Sequence, residues 1–376
     1  MPVNGTDGTR KPRVAVVFGG RSSEHAISCV TAGSVLAAID QERYDVVAIG
    51  IARDGRWVLE SGDTEQLRLD SAELPSVDGD RAAIALARVA GGTDLVVSDA
   101  SRPPETLGEV DVVFPVLHGP WGEDGTIQGM LEMAGVRYVG AGVLASAVSM
   151  DKAYMKLVLA AAGLPVMPSV TVTARAWAAD PDDVRRQADE LGYPLFIKPA
   201  RGGSSIGISK VHDASELDGG IEEALLHDPK VLVEVSAEGA REVECGVLQA
   251  LDGTAETSVP AEIRITGEHE FYDFEAKYLP QEATALDVPA DLPDDVAAQL
   301  RALSVRAFEA VGCEGLARVD FFVRPDGSLV LNEINTMPGF TPLSMYPQMW
   351  AATGVDYPTL VDRLLQLALA RDTGLR

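Results

Sequence analysis

Residues 318–335 read RVDFFVRPDGSLVLNEIN and predict a β-hairpin. Two alternating runs flank Asp326-Gly327, a dipeptide that favours a two-residue type I′ turn. With that turn, four polar side chains share one face in two facing pairs, Asp320 opposite Glu333 and Arg318 opposite Asn335. The other face is apolar apart from Asn332 and consists of Val319, Phe321, Val323, Val330 and Ile334.

The polar face of this hairpin predicts a metal site. Two carboxylates that face each other repel, and burying them without a partner would cost several kcal/mol. A divalent cation removes that repulsion, and an all-oxygen set of Asp, Glu and Asn suits magnesium rather than zinc. Because magnesium keeps ligand positions for water or phosphate oxygens, the set indicates a nucleotide substrate. The alternative is a solvated hairpin whose acidic side chains face water.

The composition narrows the class of protein. The chain has 376 residues, enough for about two to three domains, and 46% of them are hydrophobic. Its net charge of −26, from 57 acidic and 31 basic residues, opposes non-specific binding to nucleic acid or to an anionic membrane. Cys29, Cys245 and Cys313 have no metal or redox spacing, and no signal peptide or membrane-spanning run is visible. We therefore expect a cytoplasmic protein with no nucleic-acid or membrane partner.

Strands alternate with helices in the N-terminal part. The apolar run VAVVFGG ends in a glycine turn at Gly20, an amphipathic helix follows, and two more apolar strands end near Ala52 and Gly119. This alternation predicts a parallel α/β sheet. Residues 60–108 carry no usable motif and are interpreted as an insertion with short elements of its own.

A glycine-serine loop, KPARGGSSIG at 198–207, follows a buried strand. Its backbone N–H groups and hydroxyls suit phosphate oxygens. It is not a Walker A loop, because the chain contains no Gly-Lys-[Ser/Thr]. Lys198 closes the strand directly before the loop and could place its charge on a phosphate.

The sequence Gly140-Ala-Gly142 after a strand has an alternative interpretation as a dinucleotide fingerprint, which would suggest a nicotinamide-dependent oxidoreductase. That interpretation requires an acidic residue about twenty positions on, and residues 159–166 read LAAAGLPV. The pattern therefore predicts only a tight turn before the helix that carries Lys152.

Two further side chains are candidates for either ligand binding or structure. His118 lies in HGPWGEDG at the end of a strand, where open α/β sheets bind ligands. Glu24 lies near the start of the first helix, where a carboxylate is also favourable as a simple cap. The remaining histidines have no ligand spacing and are expected at the surface: His25, His212, His227 and His269.

Together these motifs resemble those of D-alanine–D-alanine ligases, a family of the ATP-grasp superfamily. The resemblance covers about residues 13–370 and rests on GGRSSEHAIS, HGPWGEDGTIQG, MDK, IKPARGGSSIG, FYDFEAKY, GLARVD and NEINTMPGFTPLS. It implies a three-domain α/β ATP-grasp architecture: a disordered tail (1–12), a Rossmann-like, parallel-sheet substrate-binding domain (13–142), a central ATP-grasp subdomain with a phosphate-covering loop (143–240), and a C-terminal subdomain with the hairpin (241–376).

The resemblance also implies a nucleotide and metal site. Two Mg²⁺ ions, or Mn²⁺, would be held by Asp320, Asn335 and a shared Glu333. ATP would be bound by Lys152, Lys198, Ser204, Ser205, Glu234, Val235, Glu242, Phe271 and Lys277. Val235 stands where lysine is frequent in the family, so a side-chain contact is lost there while the backbone could still serve. Gly202 stands where glutamate is frequent, so a loop contact of the family is not expected here.

For the amino-acid substrates, the resemblance implies that Glu24 and His118 bind the ammonium group of the first D-alanine. Arg318 and the backbone of Gly339 would hold the developing oxyanion, and Ser344 the carboxylate of the second D-alanine. Lys277 would reach the transferred phosphate. The implied catalytic set is Glu24, His118, Ser204, Tyr278, Arg318 and Ser344, with a hydrogen-bonded trio of Glu24, Ser204 and Tyr278.

The expected activity is ATP-dependent ligation of two D-alanines through an acyl phosphate, with release of ADP and phosphate, for peptidoglycan precursors. One alternative is a sister ligase that accepts D-lactate or D-serine; the intact Lys277-Tyr278 pair favours D-alanine. Another is a different ATP-grasp carboxylate–amine ligase, against which HGPWGEDG and Ser344 argue. The family also leads us to expect a homodimer.

Overall fold

The computed structural model describes residues 10–68, 74–203, 206–265 and 284–374. Its N-terminal part contains eight strands that form one sheet. The strands are β1 (Arg13–Gly19), β2 (Asp45–Ile51), β3 (Trp57–Leu59), β4 (Ala83–Val89), β5 (Gly92–Asp99), β6 (Arg102–Glu109), β7 (Val112–Pro115) and β8 (Arg137–Tyr138). The accompanying helices are α1 (His25–Ala38), a 3-10 helix (Thr64–Leu67) and α2 (Thr126–Ala134).

This first sheet is parallel where the sequence predicted it. Strand β1 pairs in parallel with β2 and β7, and β7 pairs in parallel with β8. From β2 outward, β3, β4, β5 and β6 follow as antiparallel neighbours. The insertion at 60–108 therefore extends the same sheet at one edge.

The central part contains a four-stranded antiparallel sheet in the order β11-β10-β12-β9. Its strands are β9 (Ser169–Thr173), β10 (Leu195–Pro199), β11 (Ser209–Val211) and β12 (Lys230–Val235). The helices are α3 (Val143–Met150), α4 (Lys152–Ala161), α5 (Ala174–Ala179), α6 (Pro181–Leu191) and α7 (Ala214–His227). The glycine turn at 140–142 leads into α3, and Lys152 begins the separate helix α4, so the single helix that the sequence suggested is in fact two.

The C-terminal part contains a six-stranded sheet in the order β16-β15-β13-β17-β18, with β14 paired to β13. Its strands are β13 (Arg241–Gln249), β14 (Ala255–Thr257), β15 (Ala261–Ile265), β16 (Thr284–Asp287), β17 (Leu316–Val323) and β18 (Leu329–Asn335). The helices are α8 (Asp294–Ala310), α9 (Met345–Thr353) and α10 (Tyr357–Ala370). These three sheets and their helices confirm the α/β class.

The hairpin β17–β18 has the predicted facing pairs but not the predicted turn. Asp320 pairs with Glu333, and Arg318 pairs with Asn335. The turn, however, has three residues, Pro325 to Gly327, because the N–H of Arg324 donates to Ser328 O at 2.9 Å. Gly327 takes φ +81°, the left-handed conformation that ends such a turn. A β-bulge then restores the register on the site side.

The bulge changes which residues of β18 face the core. Phe321 pairs with Leu331 rather than with Asn332, which is the extra residue of the bulge. The apolar face therefore carries Leu329, Leu331 and Ile334 opposite Val319, Phe321 and Val323. The assignment of Val330 to this face was wrong: Val330 pairs with Phe322 on the other face.

The two C-terminal helices pack on the N-terminal sheet. A single apolar cluster joins Val14, Val16 and Phe114 of that sheet to Trp350 of α9 and Leu364 of α10. The sheet of the C-terminal part is covered by α8 and α4 in a second cluster. Among the described residues, no helix has both the length and the apolar character needed to cross a bilayer.

Candidate active site

Arg318 is held by carboxylates on the polar face of the hairpin. Its Nε and Nη2 each donate to one oxygen of Asp320 at 2.7 Å, and Asn335 Nδ2 donates to the same carboxylate at 3.0 Å. Although burial opposes its charge, Asp320 and Glu244 raise the pKa of Arg318 well above its usual range. The guanidinium is therefore a permanent cation on the predicted metal ligand.

Strand β13 adds a carboxylate that the sequence interpretation did not use. Glu244 pairs in register with Asp320, and its Oε2 lies 3.1 Å from Arg318 Nε. Alternation along REVECGV gave a signal for it, since Glu242 and Glu244 must share one face of the strand. Glu242, predicted as a ribose ligand, lies on this face, and its charge reaches Lys198.

The donor set on the hairpin fits a divalent cation. Asp320 and Glu333 face each other, Asn335 supplies an amide oxygen, and two cations, Arg318 and Lys152, already lie against the carboxylates. Hard oxygen donors of this kind suit Mg²⁺ or Mn²⁺. In the part of the chain that is described, no three His, Cys, Asp or Glu side chains form a metal cluster. The set has two acids and one amide and leaves other positions to substrate or water.

Lys152 joins the hairpin to the glycine-serine loop. Its Nζ lies 3.6 Å from Glu333 Oε2 and donates to the backbone oxygen of Gly202 at 2.8 Å. The backbone N–H of Lys152 donates to Ala200 O at 2.9 Å, which fixes the start of α4 against the end of β10. The predicted phosphate lysine and the predicted metal ligand therefore lie side by side.

Lys198 belongs to a buried cluster of three charges. Its Nζ donates to Glu234 Oε2 at 2.6 Å, while Lys156 Nζ contacts the other oxygen of that carboxylate. Although burial opposes ionisation, Lys198 and Lys156 lower the pKa of Glu234. Burial lowers the pKa of Lys156, whereas Glu234 raises that of Lys198 despite burial. Lys156 was not predicted, although its position four residues after Lys152 places it on the same face of α4.

Val235 ends β12 beside this cluster. Its N–H donates to Pro168 O at 3.1 Å, so this donor is already used within the protein. A backbone contact from Val235 to a nucleotide would therefore have to come from its carbonyl oxygen.

Glu24 lies in a tight space between two glycines. A Cβ atom on Gly119 would lie 2.4 Å from Glu24 Oε2, and one on Gly203 would lie 3.3 Å from it. Only glycine allows both backbone segments to approach the carboxylate so closely. Glu24 is 7% exposed, and this contact brings together α1, the loop after β7 and the glycine-serine loop.

His118 is buried next to Glu24. Its Nε2 lies 3.1 Å from Thr31 Oγ1, and it also hydrogen-bonds to the backbone of Met337. Burial lowers the pKa of His118, although the Glu24 carboxylate acts in the opposite direction. The ring is therefore neutral near pH 7, and only one of its nitrogens carries a proton.

Glu123 is a further acid that the sequence interpretation did not single out, although it lies in HGPWGEDG. It accepts a hydrogen bond from the backbone N–H of Gly119. Burial, followed by the charge of Glu24, raises the pKa of Glu123 to about 8. The charges of Glu333 and Arg318 also reach it, so Glu123 lies between the Glu24 end and the hairpin end of the site.

Gly339 and Ser344 follow β18 in one loop. A Cβ atom on Gly339 would lie 3.1 Å from Ser344 Oγ, which in turn lies 2.9 Å from Thr341 Oγ1. Ser344 precedes α9, but its hydroxyl makes no capping hydrogen bond to that helix. Instead it accepts from the N–H of Thr341 at 3.1 Å.

Five predicted site residues lie outside the described residues: Ser204, Ser205, Phe271, Lys277 and Tyr278. His269 lies outside them as well. The surface position expected for His25 was wrong, because its ring is fully buried. It bonds to Gly20 O at 2.6 Å and accepts from the N–H of Val77 at 3.1 Å, which ties the first glycine turn to the insertion.

Family models and known proteins match nearly the whole chain. Residues 13–141 match a family model described as D-ala D-ala ligase N-terminus, and residues 158–366 match one described as D-ala D-ala ligase C-terminus. The chain is 59% identical over 372 residues to a D-alanine–D-alanine ligase of Arthrobacter sp. (strain FB24), covering 98% of this chain and 97% of that protein. It is 58% identical over 370 residues to one of Paenarthrobacter aurescens (strain TC1), with 98% of each covered.

Solved structures show the same similarity. The VanG D-Ala:D-Ser ligase from Enterococcus faecalis has a TM-score of 0.81 and 35% identity, covering 96% of this chain and 100% of that one. The D-alanine-D-alanine ligase from Coxiella burnetii has a TM-score of 0.79 and 34% identity, covering 96% and 94%.

Proposed function

This chain belongs to the D-alanine–D-alanine ligase family, and we infer that it joins two molecules of D-alanine with ATP to give the D-alanyl-D-alanine of peptidoglycan precursors. It is an ADP-forming, carbon–nitrogen bond-forming ligase. The observation that carries this conclusion is the similarity along nearly the whole chain to relatives named for this reaction. The contacts that bring Glu24, Lys152 and Glu333 into one site support it.

The first step needs a group that activates a carboxylate, because oxide would otherwise have to leave. Phosphoryl transfer from ATP gives an acyl phosphate, and cations must neutralise the charge during that transfer. We propose that Lys152 and Lys198 contact the phosphates. Asp320, Glu333 and Asn335 would hold two Mg²⁺ ions, which would offset the negative charge of the phosphates. Glu234, Val235 and Glu242 would line the adenosine side.

We propose that Glu24 binds the ammonium group of the first D-alanine. A buried carboxylate pairs well with an ammonium group, and neutral His118 beside it adds no competing positive charge. This assigns His118 an orienting role rather than that of a charged donor. Ser204, Ser205, Phe271, Lys277 and Tyr278 would complete the site and close it over the phosphates.

The second D-alanine has to attack as a free amine. The tetrahedral intermediate then carries an oxyanion, which we propose is stabilised by Arg318 and the backbone of Gly339. Ser344 would bind the carboxylate of the second D-alanine, since its hydroxyl is not used to cap α9. Exclusion of water protects the acyl phosphate from hydrolysis.

We further propose a homodimer that works in the cytoplasm, with the chain divided near residues 142 and 240. All three cysteines are free and buried, which agrees with a reducing compartment. Light scattering after size exclusion would measure the assembly, and a monomer at micromolar concentration would contradict the dimer.

The decisive experiment supplies purified protein with ATP, Mg²⁺ and D-alanine, either alone or together with D-lactate or D-serine as a competing acceptor. Phosphate release and the product are followed together by a coupled assay and mass spectrometry. We expect D-alanyl-D-alanine and ADP from D-alanine alone. Preferential formation of a D-lactate or D-serine product, with D-alanine as donor, would assign the chain to a sister activity. No turnover with D-alanine would overturn the conclusion.

A further inference from the structure

We propose that Glu244 is a positioning residue for Arg318. When Asp320 binds a divalent cation, Glu244 keeps the guanidinium of Arg318 in place. This proposal rests on the proposed function, in which Asp320 is a metal ligand and Arg318 contacts the oxyanion. The proposal adds that metal binding by Asp320 and the position of Arg318 depend on each other, and that Glu244 on the neighbouring strand links them.

The geometry creates a competition for Asp320. Arg318 donates to both oxygens of that carboxylate at 2.7 Å, and Asn335 donates to Oδ2 as well. A carboxylate offers about four lone-pair positions, and these contacts use three of them. A cation at the remaining position lies next to the guanidinium, and the repulsion between the two positive charges favours a shift of Arg318 away from Asp320.

Glu244 is placed to receive the guanidinium. It lies directly opposite Asp320 on the adjacent strand, and its Oε2 is already 3.1 Å from Arg318 Nε. Glu244 is 5% exposed, so its charge is poorly screened and needs a partner close by. Arg318 can thus shift from two carboxylates toward one without losing all of its charge compensation.

This arrangement makes Glu244 act on the metal through Arg318. When Glu244 is charged, Arg318 can move away from Asp320 at a small cost in free energy, because its ion pair with Glu244 remains. With Glu244 neutral, Asp320 becomes the stronger of the two partners for the guanidinium. Arg318 then stays on the metal ligand and competes with the cation.

The test is a double-mutant cycle on metal affinity. Mn²⁺ binding in the presence of ADP is titrated by electron paramagnetic resonance in the native protein, Glu244→Gln, Arg318→Met and the double variant. We expect Glu244→Gln to weaken Mn²⁺ binding about fivefold where Arg318 is present. In the Arg318→Met background the same change should have no effect, because the competing cation is gone.

Direct electrostatic attraction between Glu244 and the metal predicts a different result. It would give the same loss of affinity in both backgrounds, and that outcome, like an unchanged affinity in Glu244→Gln, would overturn the proposal. If the native protein bound no Mn²⁺ with ADP, or bound it equally well after Asp320→Asn, the proposed metal site would be wrong instead.

Glu262→Gln is the matched control. Glu262 is also a buried acid paired with an arginine in the same sheet, where Arg241 Nε donates to it at 2.7 Å. This variant should bind Mn²⁺ like the native protein. Thermal unfolding checks that each variant is folded, and Glu244→Asp, which withdraws the carboxylate by one methylene, replaces Glu244→Gln in the cycle should that variant fail to fold.

Discussion

Gly119 approaches Glu24 so closely that a Cβ atom on the glycine would lie 2.4 Å from the Oε2 atom of the carboxylate. Glu24 must therefore move if any side chain is placed there. We expect Gly119→Ala to lower kcat/KM for D-alanine by about tenfold or more, because a misplaced binding group loses orientation. Initial rates at varied D-alanine concentration measure this.

Gly253→Ala is the control for that substitution. Gly253 has φ +89°, close to the +75° of Gly119, but no atom lies within 4 Å of its added Cβ. Both variants should lose on the order of 1 kcal/mol of stability from the left-handed backbone. Only Gly119→Ala should lose activity, and equal losses in the two variants would show that backbone strain, not displacement of Glu24, is responsible.

Lys198→Met should weaken nucleotide binding without unfolding the protein. The substitution removes a charged donor from the phosphate site, which typically costs about tenfold or more in affinity. Glu234 keeps Lys156 as a partner, so its buried charge stays compensated. Calorimetric titration with ADP measures the affinity. Lys11→Met, which removes an exposed lysine whose Nζ donates to Gln41 O, should leave it unchanged.

The pKa of Glu123, about 8, predicts a pH-dependent stability. A carboxyl with a raised pKa holds its proton in the folded protein while the unfolded chain has lost it. Its burial therefore costs little below about pH 4.5 and progressively more as the pH rises to about 8. We expect Glu123→Gln to raise Tm relative to the native protein by on the order of 2 °C at pH 8, and not at pH 5.

The comparison is made by calorimetry in matched buffers at both pH values. Glu238→Gln serves as the control, because Lys210 lowers the pKa of that exposed acid. Its difference in Tm from the native protein should not grow as the pH rises. If the Tm of the Glu123→Gln variant equalled that of the native protein at both pH values, the raised pKa of Glu123 would be contradicted.

The facing pairs of the hairpin could be predicted from sequence, but the reason for their register could not. Alternation placed Asp320 and Glu333 on one face. The turn has one residue more than Asp326-Gly327 suggested, and the bulge at Asn332 cancels the difference. Asn332 was the single polar residue on the expected apolar face, and this misfit was the available signal. The extra turn residue and the bulge shift the register in opposite directions. The pattern of polar and apolar residues near the site is therefore the same as for a two-residue turn without a bulge.

Three buried charged residues next to the predicted site residues were not predicted from sequence. Glu244, Lys156 and Glu123 each lie next to a predicted residue, but their partners come from other strands or loops. His25 shows the same limit, because the insertion that buries it carried no recognisable motif. The surroundings of these four residues depend on contacts between segments that are far apart in the chain, and a single sequence does not show which segments come into contact.

The packing of α9 and α10 on the N-terminal sheet has a consequence for synthesis of the chain. The ribosome completes β1, β2 and β7 well before Tyr357–Ala370 emerges. At roughly 5 to 20 residues per second, synthesis from the end of β7 to the end of the last helix takes about 13 to 50 s, and during this time one apolar face of the first sheet lacks these helices. A nascent chain of this length therefore exposes an apolar surface of the kind that chaperones bind, and removal of the last helix would uncover part of the core of the first sheet.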